Sequence, residues 1–328
     1  MRAITIEEHF WTEDLSRVAA PEIKASPLDE LLLDLGERRL AEMDANAIDV
    51  QVIGHTVPAA QGLRGADAIR LTRQANDALA VAVRSHPTRF AGWATLPTDD
   101  AHAAVEELER AVGELGFVGA MVNSTLGTNG VFLDDPQFDP LFAALERLDV
   151  PLYLHPGFPP PVLRELLYSD LPEPSCLSLA AGAWGWHSEV ALHLLRLVLA
   201  GVFERYPNLR VVIGHGGEML PFMLRRIDDF LAPERGTGLQ DVPSAYLLRN
   251  VWITTSAMTA LPPVMCALQV FGVDRVLFSV DYPYTPIADC RAMLDALPIS
   301  PADKAKVAVG NAAALLGLDA WSSSGKPR

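Results

Sequence analysis

Short apolar runs recur along the chain, and each is followed by a longer stretch with the periodicity of an amphipathic helix. The runs predict eight strands, at residues 2–7, 50–54, 90–96, 117–123, 151–155, 210–215, 251–256 and 275–281. Runs that are apolar at nearly every position are typical of parallel strands buried on both faces. The segments between them predict helices at 31–46, 66–85, 99–115, 138–148, 187–206, 218–231, 258–271 and 286–297.

Eight alternating strand and helix units favour a closed (β/α)8 barrel, the TIM barrel, over an open doubly wound sheet. A chain of 328 residues could also form two domains, but neither a linker nor an internal repeat divides it. We therefore expect one barrel domain over residues 1–320 and a disordered Ser/Gly-rich tail at 321–328. Three long connections, 10–27, 124–136 and 156–186, follow strands and should lie at the catalytic face of a barrel.

Composition excludes several classes of function. Half of the residues are hydrophobic and the net charge is −15, so a phosphate backbone would be repelled and we expect no nucleic-acid partner. The three cysteines, Cys176, Cys266 and Cys290, lack the spacing of a disulfide framework or a thiolate zinc site and fit a reducing cytoplasm. No signal peptide is recognisable, and charged residues or prolines interrupt the longest apolar stretches, so we expect no membrane partner.

The side chains best able to bind a metal fall at the carboxyl ends of predicted strands. They are Glu7, His9, His155, His215 and Asp281. In a barrel these ends converge on one rim, and two imidazoles with two carboxylates suit a divalent ion such as Zn²⁺ or Mn²⁺. A single histidine at a strand end is more often a hydrogen-bonded core residue, but packing alone rarely produces the joint pattern across four strand ends.

Two local patterns support this interpretation. Glu7 and His9 are two residues apart, so both can face the barrel interior while Glu8 points away. His215 is flanked by glycines, and Glu218, one turn later, could hold its imidazole in one tautomer. The plainer interpretation is that the glycines form a tight turn and that Glu218 is a favourable acid in the first turn of a helix.

Four segments carry a resemblance to a known family. They are Glu7-Glu8-His9-Phe10, Leu154-His155-Pro156, Gly214-His215-Gly216-Gly217-Glu218 and Phe278-Ser279-Val280-Asp281-Tyr282-Pro283. With them the chain resembles the amidohydrolase-2 family of metal-dependent (β/α)8 barrels, and within it the nonoxidative decarboxylases of hydroxybenzoates, such as γ-resorcylate decarboxylase. The resemblance extends over nearly the whole chain, from Glu7 to Leu318.

The resemblance implies a site and a reaction. One divalent ion, Zn²⁺ or Mn²⁺, would be bound by Glu7, His9, His155 and Asp281. His215, oriented by Glu218, would lie beside the ion or coordinate it weakly. The implied activity is a metal-dependent nonoxidative decarboxylation of a hydroxybenzoate-type aromatic carboxylic acid, with Asp281 as proton donor to the ring carbon. We expect a raised pKa at Asp281 so that it can hold this proton. Because no oxidation occurs, we expect no organic cofactor.

Further side chains are candidates for contact with the expected partner, a small aromatic carboxylate. Arg226 matches a family arginine that helps bind the substrate carboxylate, although a surface ion pair with Asp228 or Asp229 is an equal alternative. Asn123 and His55, at strand ends, are expected either to contact the substrate or to make structural hydrogen bonds.

Aromatic side chains in the long connections could form a wall of the substrate site. They are Phe10, Trp11, Phe158, Trp184 and Trp186. For Trp184 and Trp186 we favour an oligomer interface. The remaining histidines, His86, His102, His187 and His193, lie within or beside predicted helices and are not expected to be ligands.

Two other classes of function stay open. A metal-dependent hydrolase of a C–C, lactone or amide bond on the same scaffold would need water activated by a base, a role open to His215. A non-catalytic barrel would bind no metal. By resemblance we expect a homodimer or homotetramer, with residues 156–186 and 231–243 as candidate interfaces.

Overall fold

Eight parallel strands, paired in chain order, make up the centre of the fold. The computed structural model describes residues 2–19, 26–124, 126, 131–172 and 174–318. The strands are β1 (Ile4–Phe10), β2 (Val50–His55), β3 (Phe90–Thr95), β4 (Gly119–Asn123), β5 (Leu152–His155), β6 (Val211–Ile213), β7 (Val251–Thr254) and β8 (Val276–Leu277). Each pairs in parallel with the next. The predicted (β/α)8 barrel is confirmed.

Every strand is followed by helical structure. The helices are α1 (Glu13–Ala19), α2 (Asp29–Leu33), α3 (Glu37–Ala45), α4 (Gly65–Ser85), α5 (Ala101–Gly113), α6 (Asp139–Leu148), α7 (Pro161–Tyr168), α8 (Ser175–Ala180), α9 (Gly185–Leu199), α10 (Val202–Arg205), α11 (Leu220–Leu231), α12 (Pro243–Asn250), α13 (Leu261–Phe271), α14 (Ile287–Ala296), α15 (Pro301–Ala305) and α16 (Asn311–Leu316). In the described part of the chain, every helix is too short or too polar to cross a bilayer.

Two predicted helices are wrong in extent, because each is broken. The segment 31–46 contains the end of α2 and all of α3, separated where the Asp34 carboxylate accepts hydrogen bonds from the amides of Gly36 (2.9 Å) and Arg39 (2.7 Å). Such side-chain bonds compete with the helical ladder. The segment 187–206 divides into α9 and α10 at Gly201, whose φ of 68° favours glycine.

The first strand contains a β-bulge. Thr5 pairs with Gln51 and Glu8 pairs with Ile53, so two residues of β1 lie opposite one residue of β2. The extra residue shifts the alternation of side chains between the two faces of the strand. As a result Ile6 and Glu7 can both be directed into the barrel.

The barrel interior is filled by alternate residues from all eight strands. One interior residue from each strand is Ile6, Val52, Trp93, Met121, Tyr153, Val212, Trp252 and Leu277. Residues from α16 pack against the same cluster, and the indole nitrogen of Trp93 donates to the carbonyl of Ile6 at 2.7 Å. The lower part of the cylinder is therefore a packed apolar core, and polar side chains are confined to its upper rim.

The barrel closes between the first strand and the segment after the last one. The prediction of a strand over 275–281 is too long, since β8 has only two residues. Beyond it, the amide of Asp281 donates to the carbonyl of Glu7 at 2.9 Å, and the amide of His9 donates to the carbonyl of Tyr282 at 2.7 Å. These bonds continue the parallel pairing around the cylinder.

The long connections contain structure of their own. Helix α1 lies in the connection after β1, and α7 and α8 lie in the connection after β5. The connection 124–136 is described only in part, and the predicted tail at 321–328 lies outside the described residues.

A buried histidine on α9 supports the segment that follows β4. His193 Nε2 accepts a hydrogen bond from the amide of Leu133 at 2.8 Å, so its Nδ1–H donates to Ser124 Oγ at 3.0 Å. Burial, with a smaller effect of Arg196, lowers the pKa of His193 to about 3. The neutral imidazole is therefore part of the folded structure.

We predict that His193 makes the stability depend on pH. An unfolded histidine has a pKa of about 6.5, so acid protonates the unfolded chain more readily and favours it. The contribution of neutral His193 to the free energy of unfolding is complete above that pH. It is lost as the pH falls towards 3, at up to about 1.4 kcal/mol per pH unit. His193→Gln should flatten the decline of the unfolding free energy between pH 6 and 4, measured by denaturant titration. The exposed control His102→Gln should leave it unchanged, and parallel curves for all three proteins would contradict the prediction.

Candidate metal centre

Four side chains from distant parts of the sequence meet at the rim of the barrel. Glu7 and His9 lie on β1, His155 ends β5 and Asp281 follows β8; each offers an atom within 4.8 Å of the other three. His9 Nε2 is 3.1 Å from Asp281 Oδ1, and His155 Nε2 is 3.3 Å from Glu7 Oε1. Three of the four are buried, and the Asp281 side chain is 13% exposed.

Two members of this cluster have buried polar atoms that are not satisfied by hydrogen bonds. Within the described residues, Glu7 Oε1 and both ring nitrogens of His9 are buried without a hydrogen-bond partner. The 3.1 Å approach of His9 to Asp281 therefore lacks hydrogen-bond geometry. Buried polar atoms normally have partners, and atoms directed at one point without bonding one another are what ligands of a shared cation require. The donor set, two carboxylates and two imidazoles, fits a divalent metal ion.

The tautomer of His155 leaves one nitrogen for such an ion. Its Nδ1 lies 2.8 Å from the carbonyl of Pro156 and 2.9 Å from Asn123 Oδ1. A carbonyl can only accept, so Nδ1 carries the hydrogen and Nε2 presents its lone pair to the cluster. Hydrogen bonding of the distal nitrogen is typical of metal-binding histidines.

The second oxygen of Glu7 is held by the neighbouring strands. Glu7 Oε2 accepts hydrogen bonds from the Tyr153 hydroxyl and from Thr254 Oγ1, the latter at 3.0 Å. Gly214 makes room for this carboxylate, because a Cβ there would lie 2.7 Å from Oε2. Of the glycines that flank His215, Gly214 is therefore the one whose missing side chain lets the Glu7 carboxylate come close to the backbone.

Asp281 sits in an unusual backbone conformation that Glu8 stabilises. Its φ is 73°, in the left-handed region. The flanking amides of Val280 and Tyr282 donate to the Glu8 carboxylate at 3.1 and 3.0 Å, and Ser279 Oγ donates to it at 3.1 Å. Glu8, which points away from the metal cluster, thereby fixes the segment that presents Asp281.

His215 stands next to the cluster with its ring held from behind. Its Nδ1 donates to Glu218 Oε1 at 2.8 Å. Its Nε2 lies 3.6 Å from Glu7 Oε1 and 3.7 Å from Asp281 Oδ2. The imidazole thus faces the rim from outside the group of four.

The electrostatics of the site follow from packing carboxylates against imidazoles. Burial alone would raise the pKa of Glu7 and lower that of His215, but their mutual attraction and hydrogen bonds outweigh burial in both groups. The pKa of Glu7 is lowered and that of His215 is raised. The expectation of a raised pKa at Asp281 is wrong: burial favours it, but the attraction of the neighbouring His215 and His9 imidazoles prevails and lowers this pKa.

Three residues considered for contact with the substrate make structural contacts, and for Asn123 and His55 these are the hydrogen bonds that were the stated alternative. Asn123 bonds His155, as described above. His55 is buried; its Nε2 accepts from the amide of Thr12 at 3.0 Å and its Nδ1 faces the Thr56 carbonyl at 2.9 Å. Phe10 pairs with His55 in register and belongs to the core outside the sheet. The alternation after the bulge directs His9 inward and Phe10 outward, so the expected contact of Phe10 with the substrate is not supported.

Arg226 is not in contact with the cluster among the described residues. It is exposed on α11, and its guanidinium lies 4.7 Å from the ring centre of Phe230. The surface ion pair to Asp229 is made by Arg225, at 3.0 Å. Of the aromatic residues, Phe158 and Trp186 pack edge to face at 5.4 Å, and Trp184 is 52% exposed.

Sequence reasoning missed residues that orient the ligands. Tyr153 lies two positions before His155 on β5, so the alternation of a strand could have placed it on the same face. Thr254 ends β7, where inward polar residues are expected at a barrel rim. Glu8 gave no signal, because its partners are mainly backbone amides of a remote segment.

Comparisons with known proteins agree with this geometry. The amidohydrolase family matches residues 5–318. The γ-resorcylate decarboxylase of Rhodococcus jostii is 38% identical over 338 residues, covering 96% of this chain and 98% of that protein. A crystal structure of a 2,6-dihydroxybenzoate decarboxylase complexed with 2,6-dihydroxybenzoate superposes with a TM-score of 0.90 at 35% identity, covering 97% of this chain and all of the other.

A further solved structure contains a metal. The dihydroxybenzoic acid decarboxylase of Polaromonas sp., with bound manganese and the inhibitor 2-nitroresorcinol, has a TM-score of 0.90 and 34% identity, with 97% of each chain covered. Since the family match and the 38% identical relative both extend over nearly the whole length, the chain belongs to the amidohydrolase family.

Proposed function

We propose that the protein is a metal-dependent nonoxidative decarboxylase of a hydroxybenzoate-type aromatic carboxylic acid. The observation that carries the proposal is the rim cluster of Glu7, His9, His155 and Asp281, in which Glu7 Oε1 and the His9 ring nitrogens are buried without hydrogen-bond partners. Relatives and structural neighbours named as γ-resorcylate and 2,6-dihydroxybenzoate decarboxylases support the reaction class.

We propose that these four side chains bind one divalent ion, Zn²⁺ or Mn²⁺. Two carboxylates and two imidazoles suit either metal, and a structural neighbour was solved with manganese. The reaction exchanges a carboxylate for a proton without net oxidation, so it requires no organic redox cofactor.

Residues of the chain itself can supply the proton that replaces the carboxylate on the ring. When bound, the ion would act as a Lewis acid and template for the carboxylate and ortho-hydroxyl of the substrate. The proton comes from His215, whose pKa is raised and whose Nε2 lies 3.7 Å from Asp281 Oδ2, while Glu218 holds the other side of its ring. Asp281 receives this proton and delivers it to the ring carbon that carries the carboxylate, a C–H bond forms, the C–C bond breaks, and its electron pair returns to the ring as CO2 leaves.

We further propose that residues 1–320 act as one barrel domain in the cytoplasm. Cys176, Cys266 and Cys290 are all unpaired thiols, which supports a reducing compartment. Cell fractionation with an antibody to the protein tests this location.

Release of CO2 from a panel of hydroxybenzoates tests the proposed reaction. We expect release from substrates with a hydroxyl ortho to the carboxylate, loss of activity after treatment with a chelator, and recovery with Mn²⁺ or Zn²⁺. The ring should gain one deuterium at the vacated carbon in D2O. Turnover of ester, lactone or amide substrates without CO2 release would favour the hydrolase, and activity that survives the chelator would exclude both enzymes.

Asp281→Asn should lower kcat by a factor of about 10²–10⁴, the usual range for a lost general acid. Asparagine keeps the shape and an oxygen ligand but cannot deliver the proton. Asp289→Asn is the matched control, because Asp289 is exposed on α14 a few residues away. Metal content measured on both variants separates loss of the proton donor from loss of the ion. A variant with bound metal and full kcat would rule out Asp281 as donor.

We propose that the protein forms a homodimer or homotetramer through its exposed apolar helices. Helix α7 has no buried residue, Leu166 is 76% exposed, and Phe222 on α11 is 83% exposed. Large exposed apolar groups of this kind mark interfaces. Light scattering after size exclusion should give at least twice the 35.5 kDa chain mass. Leu166→Glu should lower the mass, whereas Val81→Glu on α4 should not; a wild-type monomer would refute the proposal.

A further inference from the structure

The carboxylate of Glu218 lies between two imidazoles. His215 Nδ1 is 2.8 Å from Oε1 of this carboxylate, and His187 Nδ1 is 2.6 Å from Oε2. Glu218 is fully buried, while the His187 side chain is 17% exposed. The two rings contact each other edge to face, with their centres 4.8 Å apart. The pair predicted from the sequence, His215 and Glu218, is therefore part of a triad.

His187 is fixed at both ends of its ring. Its Nε2 lies 2.7 Å from the carbonyl of Gly182. A carbonyl and a carboxylate can only accept hydrogen bonds, so both nitrogens of His187 act as donors in this arrangement. The second oxygen of Glu218 consequently has a partner, and the carboxylate cannot rotate away from His215 without losing a charge-assisted hydrogen bond.

The three side chains are also close enough to hold a cation, since their ligand atoms lie within 4.8 Å of one another. The hydrogen-bond distances give the simpler account. Each Nδ1 lies beside a different oxygen of Glu218, so a hydrogen lies between the nitrogen and the oxygen of each pair. The lone pairs of the three side chains therefore do not converge on one point where a cation could bind.

The triad ties the long connection after β5 to the catalytic rim. Gly182 lies between α8 and α9, and a Cβ at nearby Gly185 would collide with the carbonyl of Ala180, so this turn is tightly packed. Phe158 and Trp186, from the two ends of the same connection, pack edge to face. His187, at the start of α9, joins this turn to Glu218 through its hydrogen bonds to Gly182 and Glu218.

We propose that His187 is a positioning residue for the decarboxylation: it holds Glu218 so that His215 keeps its hydrogen on Nδ1 and presents Nε2 to Glu7 and Asp281. This inference rests on the proposed function for its kinetic consequence, but the geometry can be measured without it. The hydrogen bonds of His187 go to Gly182 and Glu218, and its ring packs against that of His215, so it acts through Glu218 and His215.

Two substitutions separate the two hydrogen bonds of His187. The amide nitrogen of asparagine takes the place of Nδ1, so His187→Asn keeps the bond to Glu218 and loses the bond to Gly182. The longer His187→Gln places its amide near Nε2, so it keeps the bond to Gly182 and loses the bond to Glu218. We expect kcat to fall about 10–100-fold in His187→Gln, as for other residues that orient active-site ligands, and to stay within about threefold in His187→Asn, with KM little changed in both.

A spectroscopic measurement tests the same point independently of activity. In ¹⁵N-histidine-labelled wild type and His187→Asn, measured at a pH high enough for the His215 ring to be neutral, NMR should show its hydrogen on Nδ1. In His187→Gln we expect a mixture of tautomers. Melting temperatures show whether each variant is folded; if His187→Gln does not fold, His187→Ala with and without added imidazole replaces it, with rescue expected.

The outcomes distinguish the proposals. If the wild type releases no CO2, the proposed function fails, and the NMR comparison still decides the positioning role. Equal kcat and an unchanged His215 tautomer in His187→Gln would overturn the inference. So would two metal equivalents in the wild type that fall to one in His187→Ala, which would assign the triad to a second cation.

Discussion

The carboxylate of Glu8 joins the first strand of the barrel to the segment that follows the last strand, and the whole rim depends on this junction. It accepts hydrogen bonds from one hydroxyl and two amides of residues 279–282. Buried amides need partners, and β8 is too short to supply them all by strand pairing. By filling this gap, Glu8 sets the relative positions of the backbones that carry Glu7, His9 and Asp281.

Around the centre, Glu7, His155 and His215 are each anchored on one side and open on the other. Glu7 uses one oxygen for Tyr153 and Thr254 and keeps the other for the cluster. His155 and His215 each donate Nδ1–H to an acceptor behind the ring, so that Nε2 faces the centre. This division limits the rotation of these side chains before any ion or substrate arrives, which is the condition for a preorganised site.

Much of this architecture could be predicted from the sequence, because buried parallel strands are apolar throughout and their carboxyl ends carry the polar rim. The residues at those ends, such as His155 and Asp281, followed from that rule alone. The rule could not predict which way each side chain at a strand end points. His55 ends β2 as His155 ends β5, yet its ring nitrogens form hydrogen bonds with the backbone of Thr12 and Thr56. The break in the helix predicted over 31–46 and the role of His187 depend on contacts with specific neighbours, which no local pattern encodes.

The β-bulge in β1 has a consequence for how this chain tolerates change. Because two successive residues, Ile6 and Glu7, are directed into the cylinder, one strand supplies both hydrocarbon for the floor and a charged group for the mouth. Removal of either residue would restore a regular ladder and leave Glu8 and His9 directed as they are now, opposite Ile53 and Gly54. The one residue left between Thr5 and Glu8 could fill only one of the two inward positions. The strand would then lose either the apolar group of the floor or the carboxylate of the mouth, so a deletion that makes the pairing regular should still damage the fold or the site.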